Sequence, residues 1–526
     1  MTTTGYTEQD EAQDFASGTE MLRAGRLTEA VDAFDRVLTA VPEYAPAHFY
    51  RGVALFNAGR VVEAAASYDA AAHCEPSMFE AHNNLGIALH RLGKLEAALG
   101  CHDRAIEINP NVADVHNSRG KCLVSMQRPV EAREAFRRCL ELDVRHVFAL
   151  SNEAIFLHRD NRYAESLDHY DRAIDIARER GFDFDDARYN RGLLLLTLGD
   201  FERGWVDYET RLPSLPRPAV DETPLLTPPQ PSPTGREPGT SPQPCPWKGE
   251  GAREDLTGSL VYVRAEQGYG DTLQFVRYLP MLRERGAKVV FECQPGLKAL
   301  LEASDLCDEV VERGPSNGVL AAPAGARSIF VQSLPYFFGT DMASIPSSVP
   351  YLRASEDRRA KWASMPGEEG KLKVGIVWGG NQSDLYNRYR SCVLADFAPL
   401  AAGDGVQFFS LQKGPHAVQA LEAPPGMNLI HLGDDLGDFA DTAAAMEPMD
   451  VIVTIDTSIA HLAGALGKRV WTLLLWCADW RWFLDRVDSP WYPSMRLFRQ
   501  PSAGAWAPVF DQVATELRAL AALGRR

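Results

Sequence analysis

A chain of 526 residues is longer than one hydrophobic core organises, so two or more domains are expected. Its 45% hydrophobic and 24% charged residues lie in the ordinary globular range. The net charge of −17 argues against a surface that holds nucleic acid or anionic lipid electrostatically, while leaving room for a local basic pocket.

The N-terminal MTTTGYTEQDEAQD is polar and acidic, which is not the pattern of a secretory signal. Nine cysteines carry no Cys-x-x-Cys pair and no metal-like spacing with histidine, a usage that fits a reducing, cytoplasmic setting. The longest apolar run, Val470 to Cys477, is too short to span a membrane and reads as a buried strand. No direct membrane insertion is expected.

The first part of the chain repeats itself. Gly18, Gly52, Gly86 and Gly120 are 34 residues apart, as are Gly25, Gly59 and Gly93. Ala30, Ala64, Ala98 and Ala132 keep the same step, and so do Pro42, Pro76 and Pro110. Phe34, Tyr68 and Phe136 share an aromatic register that His102 fills in the third unit. This period resembles the tetratricopeptide repeat, a helix-turn-helix unit. Small residues let two helices approach, the aromatic fills the space between neighbouring units, and proline ends the second helix. Looser units around Tyr170 and Tyr208 extend the array to about six over residues 11–212, the last acting as a cap. Such arrays form a groove suited to a protein or peptide partner, or serve as a spacer or oligomerisation arm.

Residues 213–257 are rich in Pro, Gly, Ser and Thr without apolar periodicity, which predicts an extended linker, with Trp247 near its end as a docking side chain. From 258 the pattern alternates. Strands are predicted at 260–266 and 288–294, with a helix from near Thr272 to Gly286 and another over 295–304. The alternation stops near Tyr351, passes a charged hinge-like stretch, and resumes at 371–500 with strands in LKVGIV, VQFF, MNLIH, VIVTI and VWTLLL. A C-terminal helix is expected in 501–526. The fold class is therefore α followed by α/β: an all-helical solenoid, then two α/β halves, 258–351 and 371–500, with parallel sheets. Ligands of such sheets sit beyond the carboxyl ends of the strands, and the loops there hold the candidates.

In VIVTIDTSIAHLAGALGK, Asp456, Thr457 and Ser458 form the turn between a strand and a helix, with His461 in its first turn. Backbone N–H groups at a helix start can hold a diphosphate, although Asp, Thr and Ser are favoured there simply as caps. In AEQGYGDTLQF, Gly268 and Gly270 permit close backbone approach, and Asp271 is placed to deprotonate an acceptor hydroxyl or merely to cap the next helix. Gly379, Gly380 and Asn381 end a strand, with Arg388, Arg390 and Lys413 nearby as positive charge for phosphate. The stretches 478–486 and 489–500 are rich in Trp, Tyr and Arg, which suits stacking on a nucleobase or packing between domains, the second being preferred.

Together, GYGDTLQFVRY, KVGIVWGGN, SLQKG, DFADTAA, TIDTSIAHLAGALGK and DWRWFLDRVDSPWYPSMRLFRQ resemble bacterial glycosyltransferase family 9, the heptosyltransferase-like enzymes, fused to tetratricopeptide repeats. The architecture is also similar to that of protein O-GlcNAc transferases. The resemblance implies a GT-B pair of domains and a metal-independent inverting transfer from a nucleotide-diphosphate sugar, with no further cofactor. Asp271 would be the base. Gly268, Gly270, Gly380, Asn381, Arg388, Lys413, Asp456, Thr457, Ser458 and His461 would contact the donor. Two departures stand out: the first α/β half is shorter than in heptosyltransferases, and Ser458 stands where the family commonly has Gly or Ala. The alternatives are a non-enzymatic repeat adaptor on a degenerate fold, and a nucleotide-sugar-modifying enzyme such as an epimerase.

Overall fold

A computed structural model describes residues 7–215, 255–266, 268–314, 318–380, 389–401 and 405–524. Most of the expected linker, Trp247, Asn381 and Arg388 lie outside the described residues. The chain divides into two compact units, residues 1–187 and 188–526.

The first unit is all-helical. Its helices run in five pairs: α1 (Glu8–Arg23) with α2 (Leu27–Ala40), α3 (Ala45–Asn57) with α4 (Val61–Cys74), α5 (Phe79–Arg91) with α6 (Leu95–Ile108), α7 (Ala113–Ser125) with α8 (Pro129–Leu142), and α9 (Val147–Arg159) with α10 (Tyr163–Glu179). The glycine and aromatic registers explain one another. A Cβ on Gly18 would stand 2.8 Å from the ring of Phe34, on Gly52 2.7 Å from Tyr68, on Gly86 2.7 Å from His102, and on Gly120 2.5 Å from Phe136. Each aromatic is thus seated on the glycine of its own unit, and Phe34 and Phe136 also reach Tyr50 and Phe156 of the next unit, with ring centroids 6.2 Å apart, as expected of a side chain between neighbouring units. The second glycine register has φ between 73° and 77° at Gly25, Gly59 and Gly93, the left-handed turn that ends the first helix of a pair. Gln127 and Asn161 occupy that register in the next two units at φ of 61° and 60°.

The boundary between the units falls inside the first helix of the sixth pair. α11 (Asp185–Thr197) leads to α12 (Phe201–Tyr208), which packs into the α/β core. Trp205 is fully buried, donates its indole N–H to the Thr340 carbonyl at 2.9 Å, and meets Trp480 edge-on at 5.3 Å. An amphipathic last pair with this much aromatic surface needs a large apolar face to cover it, which the sheet layer supplies.

Two parallel sheets follow. The first has the order β3-β2-β1-β4, from β1 (Leu260–Arg264), β2 (Lys288–Cys293), β3 (Glu309–Glu312) and β4 (Arg327–Phe330). The second has the order β10-β9-β8-β5-β6-β7, from β5 (Leu372–Val377), β6 (Val406–Ser410), β7 (Leu429–His431), β8 (Val451–Ile455), β9 (Val470–Leu474) and β10 (Met495–Arg499). Helices α13 (Tyr269–Phe275), α14 (Lys298–Ser304), α15 (Glu356–Trp362), α16 (Phe439–Met446), α17 (Ser458–Ala465) and α18 (Trp506–Gly524) accompany them. The charged stretch read as a hinge contains α15, and the Trp- and Arg-rich tail contains β10; neither had an alternating pattern to announce it. No described helix is long and apolar enough to cross a membrane.

Strand order places the candidates. In the first sheet, β1 is flanked by β2 and β4; in the second, β5 and β8 are neighbours at the point where the order reverses. Loops leaving the carboxyl ends of β1, β5 and β8 therefore open onto the crevices where α/β sheets admit ligands.

Candidate functional site

The loop after β1 supplies Gly268, Gly270 and Asp271. Gly268 caps α13 and Asp271 lies in its first turn. A Cβ on Gly268 would come within 2.1 Å of Asp271 Oδ2, so one carboxylate oxygen folds back over the glycine. The other, Oδ1, accepts from Nη2 of Arg481. Burial pushes the Asp271 carboxyl above the usual carboxylate range, and the Arg481 guanidinium opposes that rise.

The loop after β8 supplies Asp456 and Thr457, and Ser458 begins α17. Thr457 Oγ1 accepts the Ile459 N–H at 3.3 Å, and the Thr457 carbonyl accepts that of Ala460 at 3.0 Å. The capping role is therefore met, and two of the amides at this helix start are engaged. Asp456 is buried, which raises its carboxyl, while Arg390 acts in the opposite sense.

His461 joins the two loops. A Cβ on Gly270 would lie 2.9 Å from His461 Cδ2 and 3.6 Å from Ser458 Cα, so the glycine is what lets α13 close on α17. The imidazole stacks on Trp482 with centroids 5.3 Å apart, and its Nδ1 shares a 2.9 Å hydrogen bond with the Tyr492 hydroxyl. Burial, then the cations Arg481, Arg277 and Arg390, hold it well below the ordinary histidine range, so it is neutral near pH 7.

The loop after β5 contributes Gly380, whose N–H donates to Ser391 Oγ at 3.2 Å. A Cβ there would stand 3.6 Å from Thr457 Cγ2 and 3.7 Å from Arg390 Nε. That Nε is buried and has no hydrogen-bond partner among the described residues. Lys413 is not brought to this cluster by its bonds: its Nζ donates to the Leu436 carbonyl instead.

Arg481, from the loop after β9, lies in a stretch whose composition suits packing, and it is the centre of the polar network. Its Nε donates to Gln274 Oε1 at 2.7 Å, Nη1 to Asp479 Oδ1 at 2.8 Å, and Nη2 to Asp271. The guanidinium lies over Trp480 at 4.5 Å and Phe275 at 5.6 Å. Burial works against its charge, but Asp479 and Asp271 outweigh that and hold it well above the ordinary value. The only sequence signal for this role was the Asp-x-Arg spacing among aromatics. Among the described residues, no group of three His, Cys, Asp or Glu is placed to hold a metal ion.

Comparison with known proteins separates the two units. Models of the tetratricopeptide repeat match residues 15–78, 79–112 and 117–181. The N-terminal helices are tetratricopeptide repeats. Protein FlbA of Caulobacter vibrioides is 27% identical over 365 residues, covering 64% of this chain and 55% of its own length. That share exceeds what the repeats occupy, so the match runs on past them; the chain spans about half the length of this relative. Among solved structures, PilF of Pseudomonas aeruginosa is 18% identical with a TM-score of 0.34, covering 39% of this chain and 91% of its own. A tetratricopeptide repeat protein from Parabacteroides merdae is 21% identical with a TM-score of 0.32, covering 39% and 80%.

Proposed function

We propose that residues 188–526 form a GT-B-type glycosyltransferase that moves a sugar from a nucleotide-activated donor to an acceptor held by the repeats. The observation that carries this reading is the convergence of three strand-end loops, from both sheets, on one cluster. There Asp271, neutral His461, the start of α17 and the unpartnered Nε of Arg390 meet. In the reaction, Asp271 accepts the proton of the acceptor hydroxyl as its oxygen bonds to the anomeric carbon. The bond from that carbon to the phosphate oxygen breaks, and the departing anion is met by Arg390 and the amides that remain at α17. The repeats carry a polypeptide acceptor, and the chain works in the cytoplasm.

A panel of nucleotides and nucleotide sugars, screened by thermal shift, tests the donor step, since a ligand that binds only the native state raises Tm by mass action. One nucleotide class stabilises the chain, and Arg390→Gln loses that shift while Asp271→Asn keeps it. With that donor, sugar transfer to proteins bound by the repeats falls about 10²- to 10⁴-fold in Asp271→Asn, the usual worth of a positioned base.

A second reading is a non-enzymatic adaptor. It is favoured by one observation: Asp271 Oδ1 and the Lys413 ammonium are already engaged within the protein. An adaptor shows no shift with any nucleotide although circular dichroism reports a folded chain, and that result overturns the transferase.

A further inference from the structure

The network around Arg481 joins parts of the second unit that are remote in sequence. Asp271 and Gln274 lie on α13, at the carboxyl end of the first sheet, while Asp479 and Arg481 follow the second sheet's β9. One planar guanidinium thus presents three edges to three acceptors: the Gln274 amide at 2.7 Å, Asp479 at 2.8 Å, and Asp271. It is 8% exposed and packed against Trp480 and Phe275, so it has little room to turn. A fork held on three sides fixes direction as well as charge, which a lysine at the same place would not do.

Building on the transferase reading, we propose that Arg481 is a positioning residue for Asp271. It holds that carboxylate in a single orientation and in its ionised form, the form that accepts a proton. Asp479 tunes the arrangement by drawing part of the guanidinium's charge to itself. Other groups face Asp271 as well. Glu266, at the end of β1, is tied to Arg211 by bonds of 2.7 and 2.9 Å. Asp456 lies at the end of β8, Tyr189 on α11, and His461 packs on the adjacent Gly270. Asp479, Glu266 and Asp456 all favour the protonated acid, and so does burial. Arg481 is the partner that acts against them, and an uncompensated acid so placed would stay protonated to higher pH.

The two neighbours of Asp271 give opposite signs. Removing the cation in Arg481→Gln shifts the Asp271 titration upward. Removing the competing anion in Asp479→Asn leaves the guanidinium to Asp271 and shifts it downward. If Arg481 merely packs beside Trp480 and Phe275, Arg481→Gln leaves the midpoint where it is, while the lost anion of Asp479→Asn lowers it on either account.

The experiment is a pH titration of the full-length chain labelled with ¹³C at aspartate carboxyls. The Asp271 signal is assigned by its loss in Asp271→Asn. We expect the midpoint to rise by about one unit or more in Arg481→Gln, with partial return in Arg481→Lys, and to fall in Asp479→Asn. A midpoint unchanged in Arg481→Gln overturns the proposal; should Arg481→Gln fail to fold, Arg481→Lys decides by whether its midpoint lies above that of the wild type. No donor is present, so the result stands apart from the transferase reading. That reading fails instead if Asp271→Asn transfers sugar at the wild-type rate. Where transfer is measured, the acidic limb of the pH–rate profile moves with the same sign as the titration, a readout that lost packing would not shift.

Discussion

In the repeats, Gly120 meets Phe136 sixteen residues along the chain, and the same pairing recurs at Gly18, Gly52 and Gly86. In the α/β unit, Arg277 donates to the carbonyl of Trp491, 214 residues away, and Arg481 reaches Asp271 across 210. The first kind of contact is local and repeated, so each helix pair carries its own instructions and the stability of the array approximates a sum over neighbours. The second kind is made once, between parts of the chain that find each other only in the finished fold. Damage in the repeats should therefore be graded and local, and damage in the α/β unit should spread through it.

The sharpest way to break that contrast is Trp205→Ala. Trp205 is fully buried on α12, bonded to Thr340 and packed on Trp480, itself next to Trp491 at 6.0 Å. Truncating a buried tryptophan typically costs about 3–5 kcal/mol through lost transfer energy and the cavity left behind. Hydrogen-exchange mass spectrometry should show faster exchange across peptides from 260–500 and unchanged protection in α3 to α8. A loss confined to α12 would show that the α/β core does not depend on this helix.

A pH-dependent test sharpens the comparison from the side of the repeats. His102 sits where Phe34, Tyr68 and Phe136 sit in the other units, seated on Gly86 and bonded to Asn83 Oδ1 at 3.1 Å. Burial pushes its pKa down to about 4. Between that value and the ordinary 6.5, the unfolded chain binds a proton that the folded chain refuses. Stability is therefore complete above pH 6.5 and declines as pH falls toward 4, by roughly 2–3 kcal/mol at most. His102→Phe restores the aromatic of the other units and should flatten that decline. Urea unfolding at pH 7 and pH 5, followed by exchange in α5 and α6, reads the difference; an equal pH loss in both proteins would place its source elsewhere.

The same contrast explains what could be read in advance. The 34-residue period is a direct record of contacts sixteen residues apart, so the repeats, their turns and their aromatic register were legible residue by residue. Apolar runs announced β1, β2, β5, β6, β7, β8 and β9. The four-residue strands β3 and β4 lacked an apolar run of their own, and β10 was hidden by the Trp and Arg around it. In the candidate site, Gly268, Gly270, Asp271, Gly380, Thr457 and His461 could be named because strand-end loops carry recognisable residue types. Arg481 could not, because its deciding partner lies 210 positions away and the one local signal, Asp479 two residues before it, is equally the mark of a surface pair. The last helix pair was similarly ambiguous: α11 and α12 keep the repeat's glycine and tyrosine at Gly192 and Tyr208, yet Trp205 and Phe201 belong to the core of the α/β unit.

The smallest expected effect tests whether the repeats really are read unit by unit. Gln127 stands in the turn register of Gly25, Gly59 and Gly93 with φ of 61°, a conformation in which an L side chain crowds the following carbonyl. Gln127→Gly removes that crowding but gives the unfolded chain more freedom, and the two effects nearly offset. The net gain should be between a few tenths and about 1 kcal/mol. It should appear chiefly in α7 and α8, the helices the turn joins, with the 2.8 Å His90–Ser125 hydrogen bond as the link to the preceding unit. Asn161→Gly, one unit later at φ of 60°, should gain less, since asparagine tolerates the left-handed region better than glutamine does. Chemical denaturation of the two single variants and the double tests this directly. Gains that add within a few tenths of a kcal/mol are what independent, locally specified turns require. A double variant far from the sum would mean that the repeats share their strain along the array, and the distinction drawn between the two units would narrow to one of degree.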